Sequence, residues 1–255
     1  YHTRTSVATS RFVSTVDNGN LAAALTTVGN LFAEARGPAH RMRDAMNFRL
    51  LYDPEKKLLH NGYSPDTGEL APSYYDLSVS EARTAYQEAI AKGDIPAEAW
   101  SALGHQVMKS PAGATFANYA GTAMEFSTPL GHLNEAELAP HTWGLVLRRF
   151  FKSQMRLARR WGLPFWGFSE SGRLEASDDG DPGFGYRTHG DAEVAQGHYR
   201  YNPPDKNVVT PYASVMGLSS GAEPSAVVAN LRRLEARGAL GPYGFWEAMQ
   251  LQPDG

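Results

Sequence analysis

The stretch from Trp143 to Trp161 constrains the fold of this chain more than any other. Trp143, Val146, Leu147, Phe150, Leu157 and Trp161 recur on one side of a helical period, and Gly162 with Pro164 beyond ends the run. A helix with so bulky a stripe must bury it against another element, because a single helix has no interior of its own. Similar periods return along the chain. Leu21, Ala24, Leu25, Val28, Leu31, Phe32 and Ala35 predict an inward-facing helix, capped by Asp17-Asn18 and stopped by Gly37-Pro38. A shorter helix is expected from Ala39 to Asn47. Another starts near Ser73 on the stripe Tyr75, Val79, Ala82, Tyr86 and Ile90, and ends at Gly93. Pro96 opens a brief helix that ends at Gly104. Further helices are expected over Gly121 to Leu130, Val208 to Leu218 and Pro224 to Arg237, with one more beginning at Glu247.

Strand signals are sparse. Phe48 to Leu59 alternates loosely, and Asn61-Gly62 could close a hairpin. Residues 164 to 206 read as a long loop rich in Gly, Pro, Asp and aromatic residues, a kind of segment that is usually functional. No linker divides the chain, so residues 1–255 read as one all-α domain of helix pairs, an array or a toroid.

Composition removes several classes of function. With no cysteine, disulfides, thiolate metal sites and cysteine nucleophiles are excluded. A net charge of -3 gives no reason to expect nucleic acid or an anionic membrane as partner. The basic run Arg148, Arg149, Lys152, Arg156, Arg159 and Arg160 lies on a helix and reads as a solvated face. No apolar run reaches the length of a membrane span. The eight histidines show no ligand spacing, and His189 and His198 sit in loops; no metal or cofactor is expected. Asp178-Asp179-Gly180-Asp181 lacks the register of a calcium loop and reads as an exposed turn.

Three segments set a glutamate among aromatic and small residues: Glu125 in Thr122-Ala-Met-Glu-Phe-Ser, Glu170 in Trp166-Gly-Phe-Ser-Glu-Ser-Gly, and Glu247 in Tyr243-Gly-Phe-Trp-Glu-Ala. Desolvation there raises a carboxyl pKa into the range useful for acid and base chemistry. Aromatic faces also suit the apolar face of a pyranose ring. Glu170, on a loop between serines, is the strongest candidate to meet a substrate. Glu247 would enter a helix after a glycine turn, where the helix dipole alone also favours an acid. Glu125 is read as inward-facing, either a structural hub or a ligand to sugar hydroxyls. Asp76, Ser80 and Arg83 fall on one predicted helix face beside Tyr75, either as a structural ion pair or as a polar stripe lining a cleft.

Taken in order, several segments resemble the glycoamylase-like domain of the cyclic β-1,2-glucan synthase family. They are Val16-Asp-Asn-Gly-Asn-Leu-Ala, Phe48-Arg-Leu-Leu-Tyr-Asp-Pro-Glu, Pro72-Ser-Tyr-Tyr-Asp-Leu, Gly121-Thr-Ala-Met-Glu-Phe, Trp166-Gly-Phe-Ser-Glu-Ser, Val209-Thr-Pro-Tyr-Ala-Ser and Gly241-Pro-Tyr-Gly-Phe-Trp-Glu-Ala. The resemblance implies an (α/α)6 toroid, incomplete at the C-terminus, in a piece of a longer bacterial inner-membrane protein. It implies flanking glycosyltransferase and phosphorylase-like domains. It also implies β-1,2-glucan as substrate, with Glu170 as acid/base and Glu247 as nucleophile of a retaining transglycosylation that cyclises the chain. Asp76, Glu125, Tyr75, Arg83, Trp166, Tyr186, Tyr212, Tyr243 and Trp246 would bind substrate. The alternatives are an endo-β-1,2-glucanase and a non-catalytic glucan-binding module. The segment after Ser171, Gly172-Arg-Leu-Glu-Ala-Ser and on to Tyr186, departs from the family pattern.

Overall fold

A computed structural model of the chain describes residues 11–175, 183–196 and 208–251. Two compact units emerge, Tyr1–Gly104 and His105–Gly255, at a point where the sequence offers no linker. The acidic turn Asp178–Asp181 and His198 lie outside the described residues.

In the first unit, β1 (Val13–Ser14) leads into α1 (Thr15–Leu31) and α2 (Arg36–Ala45). The cap of α1 is Ser14, whose hydroxyl accepts from the Asp17 N–H at 3.2 Å, and not Asp17 or Asn18. Its packed side consists of Thr15, Gly19, Ala22, Ala23 and Gly29, while Leu21, Val28, Leu31 and Phe32 are exposed. The stripe expected to face inward therefore faces outward. Small residues win the inner side because the neighbouring backbones come close: a Cβ at Gly19 would sit 2.6 Å from that of Ala85.

A 3-10 turn, Phe48–Leu51, precedes β2 (Tyr52–Asp53), β3 (Leu58–His60), β4 (Gly62–Ser64), β5 (Glu69–Leu70) and β6 (Tyr74–Tyr75). They form two antiparallel sheets, in the orders β2-β3-β6 and β1-β4-β5. Asn61-Gly62 does not close a hairpin. It passes the chain from one sheet to the other, with the Asn61 N–H donating to the Ser73 carbonyl at 2.9 Å. The helix expected from Ser73 starts ten residues later, as α3 (Arg83–Ala91), with α4 (Glu98–Ala102) after it. Two competitors defeat the earlier start. Tyr74-Tyr75 is drawn into β6 against β3, and the Ser80 hydroxyl accepts from the Ala82 N–H at 3.1 Å, closing a local turn. Asp76, Ser80 and Arg83 therefore do not share a helix face. Tyr86 of α3 fastens the sheet: its hydroxyl accepts from Leu59 N–H at 2.7 Å and donates to the Tyr75 carbonyl at 2.8 Å. Around it Phe48, Leu51, Leu59, Ile95 and Leu103 form the core. Each such side chain contributes about 1.5–3 kcal/mol by leaving water.

The second unit opens with the hairpin β7 (Val107–Ser110) and β8 (Gly113–Phe116), then α5 (Ala123–Ser127), α6 (Glu135–Leu138) and α7 (Trp143–Arg160). The stripe on α7 is buried as expected: Trp143, Val146, Leu147, Phe150 and Leu157 all lie in the core. Phe126 of α5 stacks on Phe150 at 3.8 Å, Phe150 meets Phe151 edge-on at 5.2 Å, and Phe151 meets Trp166 at 6.3 Å. Such pairs add about 0.5–1.5 kcal/mol each beyond burial. The basic face of α7 is more than solvated. Arg148, Arg149 and Arg156 donate to the carbonyls of Pro140, Ala114 and Pro111, and Arg160 pairs with Glu193.

After α7 the chain is extended as far as the antiparallel pair β9 (Glu170–Glu175) and β10 (Gly183–Thr188). Then come β11 (Val208–Val209), α8 (Pro211–Ser219), α9 (Pro224–Ala236), β12 (Leu240–Gly241), β13 (Gly244–Phe245) and β14 (Met249–Gln250), with β14 pairing with β11. Helices are the larger elements, but two- to six-residue strands accompany them throughout, so the fold is helical with hairpins rather than purely all-α.

Candidate active site

The segment Phe165–Ser169 belongs to no named strand, yet side chains and loops hold much of its backbone. Asn230 of α9 accepts from the Trp166 N–H at 3.2 Å and donates to the Trp166 carbonyl at 2.7 Å and to Ser214 Oγ at 2.8 Å. Gln154 of α7 grips Phe168 the same way, donating to its carbonyl at 2.7 Å and accepting from its N–H at 3.0 Å. Thr210 N–H donates to the Gly167 carbonyl at 2.8 Å, and His189 N–H to the Ser169 carbonyl at 3.1 Å. Buried backbone groups need partners, and here side-chain amides supply what a neighbouring strand would. Gly167 has φ +118°, and a Cβ there would lie 2.6 Å from Ser214 Oγ and 2.8 Å from the Thr210 carbonyl oxygen.

This clamp delivers Glu170, which is the first residue of β9 rather than part of a loop. Glu170 faces Thr188 across the pair, and Tyr186 is its diagonal neighbour on the same face, opposite Gly172. Tyr186 donates its hydroxyl to Glu170 Oε2 at 3.0 Å, and the Tyr212 hydroxyl donates to the Glu170 carbonyl. Burial pushes the Glu170 carboxyl above its usual range, against the hydroxyls of Tyr186 and Thr122, which favour the anion. Removing the Tyr186 hydroxyl should therefore raise that pKa further. In Tyr186→Phe, a limb of the pH–rate profile that reports loss of the Glu170 proton should move to higher pH, by about 0.5–1 unit for one such bond. A limb that stays put or moves down would rule out this account.

Glu125 is inward-facing, with 6% of its surface exposed, and stands in a capping box with Thr122 at the start of α5. Its carboxyl accepts from Asn118 Nδ2 at 2.9 Å, the Tyr119 N–H at 3.0 Å, the Thr122 N–H at 3.2 Å, the Thr122 hydroxyl at 2.9 Å, and the Ala120 N–H. Asn118 is held in turn, accepting from the Gly121 N–H at 2.8 Å. Burial still raises the Glu125 pKa from 4.5 to about 7, with the nearby Glu170 charge acting in the same direction.

That shift has a consequence for stability. Between these two values the folded state keeps a proton that the unfolded chain has lost, so the favourable contribution present below 4.5 disappears as the pH rises through about 7. Its full size is on the order of 3 kcal/mol. Asp191, raised by burial, adds in the same sense. The melting temperature should be lower at pH 8 than at pH 5, and Glu125→Gln should flatten the dependence; thermal melts across that range check it.

The remaining candidates are spread out. In the second unit Glu247 lies on an exposed bend between β13 and β14, not in a helix. Beside it, Tyr243 is fully exposed and Trp246 is 55% exposed, both accessible to a ligand. Trp166 is a core residue, 4% exposed, and its indole packs on Phe151 instead of facing solvent. In the first unit Tyr75 is half-buried in β6, and Asp76 offers its carbonyl to the Gly104 N–H at 2.7 Å. Arg83 is wholly buried and donates to the Ser78 carbonyl at 2.9 Å. In this position it helps to fold the 78–82 turn and presents no exposed surface. Among the described residues, no cluster of His, Asp or Glu has the arrangement of a metal site, and no helix is long and apolar enough to cross a membrane.

Asn118, Thr122, Gln154 and Asn230 were not singled out from the sequence. The signals existed. Thr122-Ala-Met-Glu125 is a capping-box pattern, and Gln154 and Asn230 interrupt the apolar faces Phe150–Leu157 and Val227–Leu234 at helical spacing.

No protein-family model matches the chain. Over 227 residues it is 33% identical to the cyclic β-(1,2)-glucan synthase NdvB of Rhizobium meliloti (strain 1021), covering 84% of this chain and 7% of the synthase. The chain is a relative of the cyclic β-1,2-glucan synthases. It therefore corresponds to a small part of that much longer protein. By structure it matches an endo-β-1,2-glucanase from Talaromyces funiculosus, solved with sophorose, at a TM-score of 0.71 and 14% identity, covering 94% of this chain and 53% of the glucanase. An endo-β-1,2-glucanase from Chitinophaga pinensis, in complex with sophorotriose and glucose, matches at 0.62 and 18% identity, over 93% of this chain and 59% of that one. At such identities the likeness is one of fold. The chain spans little more than half the length of either glucanase.

Proposed function

We propose that this chain is a glycoside hydrolase or transglycosylase domain acting on β-1,2-glucan, with Glu170 as the proton donor to the glycosidic oxygen. The observation that carries this is the setting of Glu170. Its carboxyl is half-buried, raised in pKa and oriented by Tyr186, on a backbone clamped by Gln154 and Asn230. An acid that must be protonated near neutrality and held still has these requirements. The relative and both glucanases bear the same linkage in their names, which supports the substrate class.

In the retaining reading, Glu247 attacks the anomeric carbon while Glu170 protonates the leaving oxygen, forming a glycosyl-enzyme. Water, giving its proton to the Glu170 carboxylate, then yields hydrolysis, and a hydroxyl at the far end of the same chain, deprotonated in the same way, yields a ring. Retention calls for the two carboxyls to approach to about 5–5.5 Å. Tyr212, Tyr243 and Trp246 of the second unit are the residues proposed to contact glucan. The synthase relative favours transfer, while the glucanase fold favours hydrolysis as the second reading. A complete (α/α)6 toroid and flanking glycosyltransferase and phosphorylase-like domains belong to the proposal for the parent protein.

Incubation with linear β-1,2-glucan followed by mass spectrometry tests this. Rings or redistributed chain lengths, abolished in Glu170→Gln and Glu247→Gln, establish the transglycosylase. Short linear products alone make it a hydrolase. Binding without turnover overturns the catalytic reading and leaves a glucan-binding module.

A further inference from the structure

The outer face of α1 has the make-up of an interior surface. Gly19, Ala22, Ala23 and Gly29 turn inward, where Gly19 packs on Ala85 of α3 and Gly29 on His40 of α2. The opposite side carries Leu21, Ala24, Leu25, Val28 and Leu31, followed by Phe32, at steps of three and four residues. Leu21 is 46% exposed, Phe32 52% and Leu31 71%, so nothing in the first unit covers this stripe. Asp17, in the first turn, is the only charged residue of the helix. A solvated helix face ordinarily carries charge, whereas the centres of protein contacts are depleted of it. The same lack argues against a membrane surface, since α1 has neither lysine nor arginine to meet anionic headgroups. Its spacing suits another helix, whose side chains would fit between these.

Size narrows the choice of partner. A helix of 17 residues is about 25 Å long, and a seam one helix wide covers a few hundred Å². Stable complexes between free proteins bury about 800 Å² on each side, so a second copy docked through this seam alone would not hold. A helix tethered in the same polypeptide would hold, because its effective concentration makes up for the missing area. Relatives of this fold have chain to supply one. The matched residues make up 53% and 59% of the two glucanases, and 7% of the synthase. We propose that the outer face of α1 seats an amphipathic helix of the parent protein, contributed from outside these 255 residues, whose apolar stripe is likewise free of charge. The contact is independent of the reading of Glu170, and holds for a hydrolase, a transglycosylase or a binding module alike.

The chain has no cysteine, so one introduced thiol reports on the face. Leu31→Cys and, at the other end of the stripe, Leu21→Cys are made both in this chain and in the full-length parent protein. Each is labelled with a soluble maleimide and followed by peptide mass spectrometry, with the denatured protein as reference. In this chain both thiols should react at close to the denatured rate. In the parent they should react about 100-fold more slowly, limited by local opening. Adding Leu31→Glu to Leu21→Cys should drive a charge into the seam and raise the parent's rate at least about tenfold. In this chain the same Leu31→Glu should move the melt by no more than about two degrees, as an exposed substitution does. Thiols that label as fast in the parent as in this chain overturn the proposal, and where Leu31→Cys loosens the seam by itself, Leu21→Cys decides. Slow labelling already in this chain overturns it too, in favour of a second copy where dilution restores the rate. Protection in the parent that survives Leu31→Glu, or that is lost on transfer from membranes to detergent, gives the face to another cover or to lipid and overturns it as well.

Discussion

Glu170→Gln is expected to lower kcat on linear β-1,2-glucan by about 10³-fold, within the range that a positioned general acid contributes. The amide matches the carboxylic acid in shape and can still accept the Tyr186 hydroxyl that now lies 3.0 Å from Oε2. It cannot release a proton. The fold should not suffer, because a neutral group replaces one that burial already holds towards its neutral form. Above neutrality the variant should melt at or above the wild-type temperature. A glucoside whose leaving group departs without protonation, such as a dinitrophenyl glycoside, gives the sharper comparison. On it the loss in kcat/KM, which reports the first step, should shrink to about tenfold or less, since the acid is no longer needed there. Equal losses on both substrates would mean that Glu170 holds the substrate rather than protonating it.

Gly167→Ala is expected to be among the most damaging small substitutions in the second unit. Two costs add. The backbone at φ +118° is one that side-chain-bearing residues rarely adopt, worth about 1–3 kcal/mol. The added methyl would also lie 2.6 Å from Ser214 Oγ and 2.8 Å from the Thr210 carbonyl oxygen, where well-packed groups have little room to give. A loss of roughly 3–5 kcal/mol follows, or a melting temperature lower by about ten degrees. Activity should fall further than stability alone accounts for, because the displaced carbonyls of Gly167 and Phe168 are those that fix Glu170. A melt within two or three degrees of wild type would show that the segment relaxes at little cost.

The sequence was most legible where a long period met a large core. The stripe on α7 appears in the structure as read, and the Pro224 helix differs only at its end. It was least legible where residues are small or elements short. On α1 the helix itself was right but its buried side was not. Gly19, Ala22 and Ala23 carry little hydrophobic signal, and their value lies in letting backbones meet, which a pattern of large apolar residues conceals. Two-residue strands such as β6 show no alternation at all, and Tyr74-Tyr75 was absorbed into a helix that starts at Arg83. At the site, the aromatic setting pointed to Glu170. What holds it did not stand out, because Gln154 and Asn230 come from helices α7 and α9, 16 and 60 residues away in the chain. Trp166 misled for a related reason, since an aromatic residue beside a candidate acid can as readily be a floor as a wall.

The side-chain clamp on Phe165–Ser169 also separates two jobs that a β-sheet would tie together. In a ladder, the position of a residue depends on the register of its neighbour, so remodelling one strand drags the other. Here Asn230 and Gln154 anchor the backbone upstream of Glu170 to two helices, and the β9–β10 pair begins only at Glu170 itself. The outer portion of that pair can thus be exchanged as a cassette while the acid stays where it is. Variants grafted with hairpins of other lengths beyond Gly172 and Tyr186 should change what flanks Glu170 without moving it.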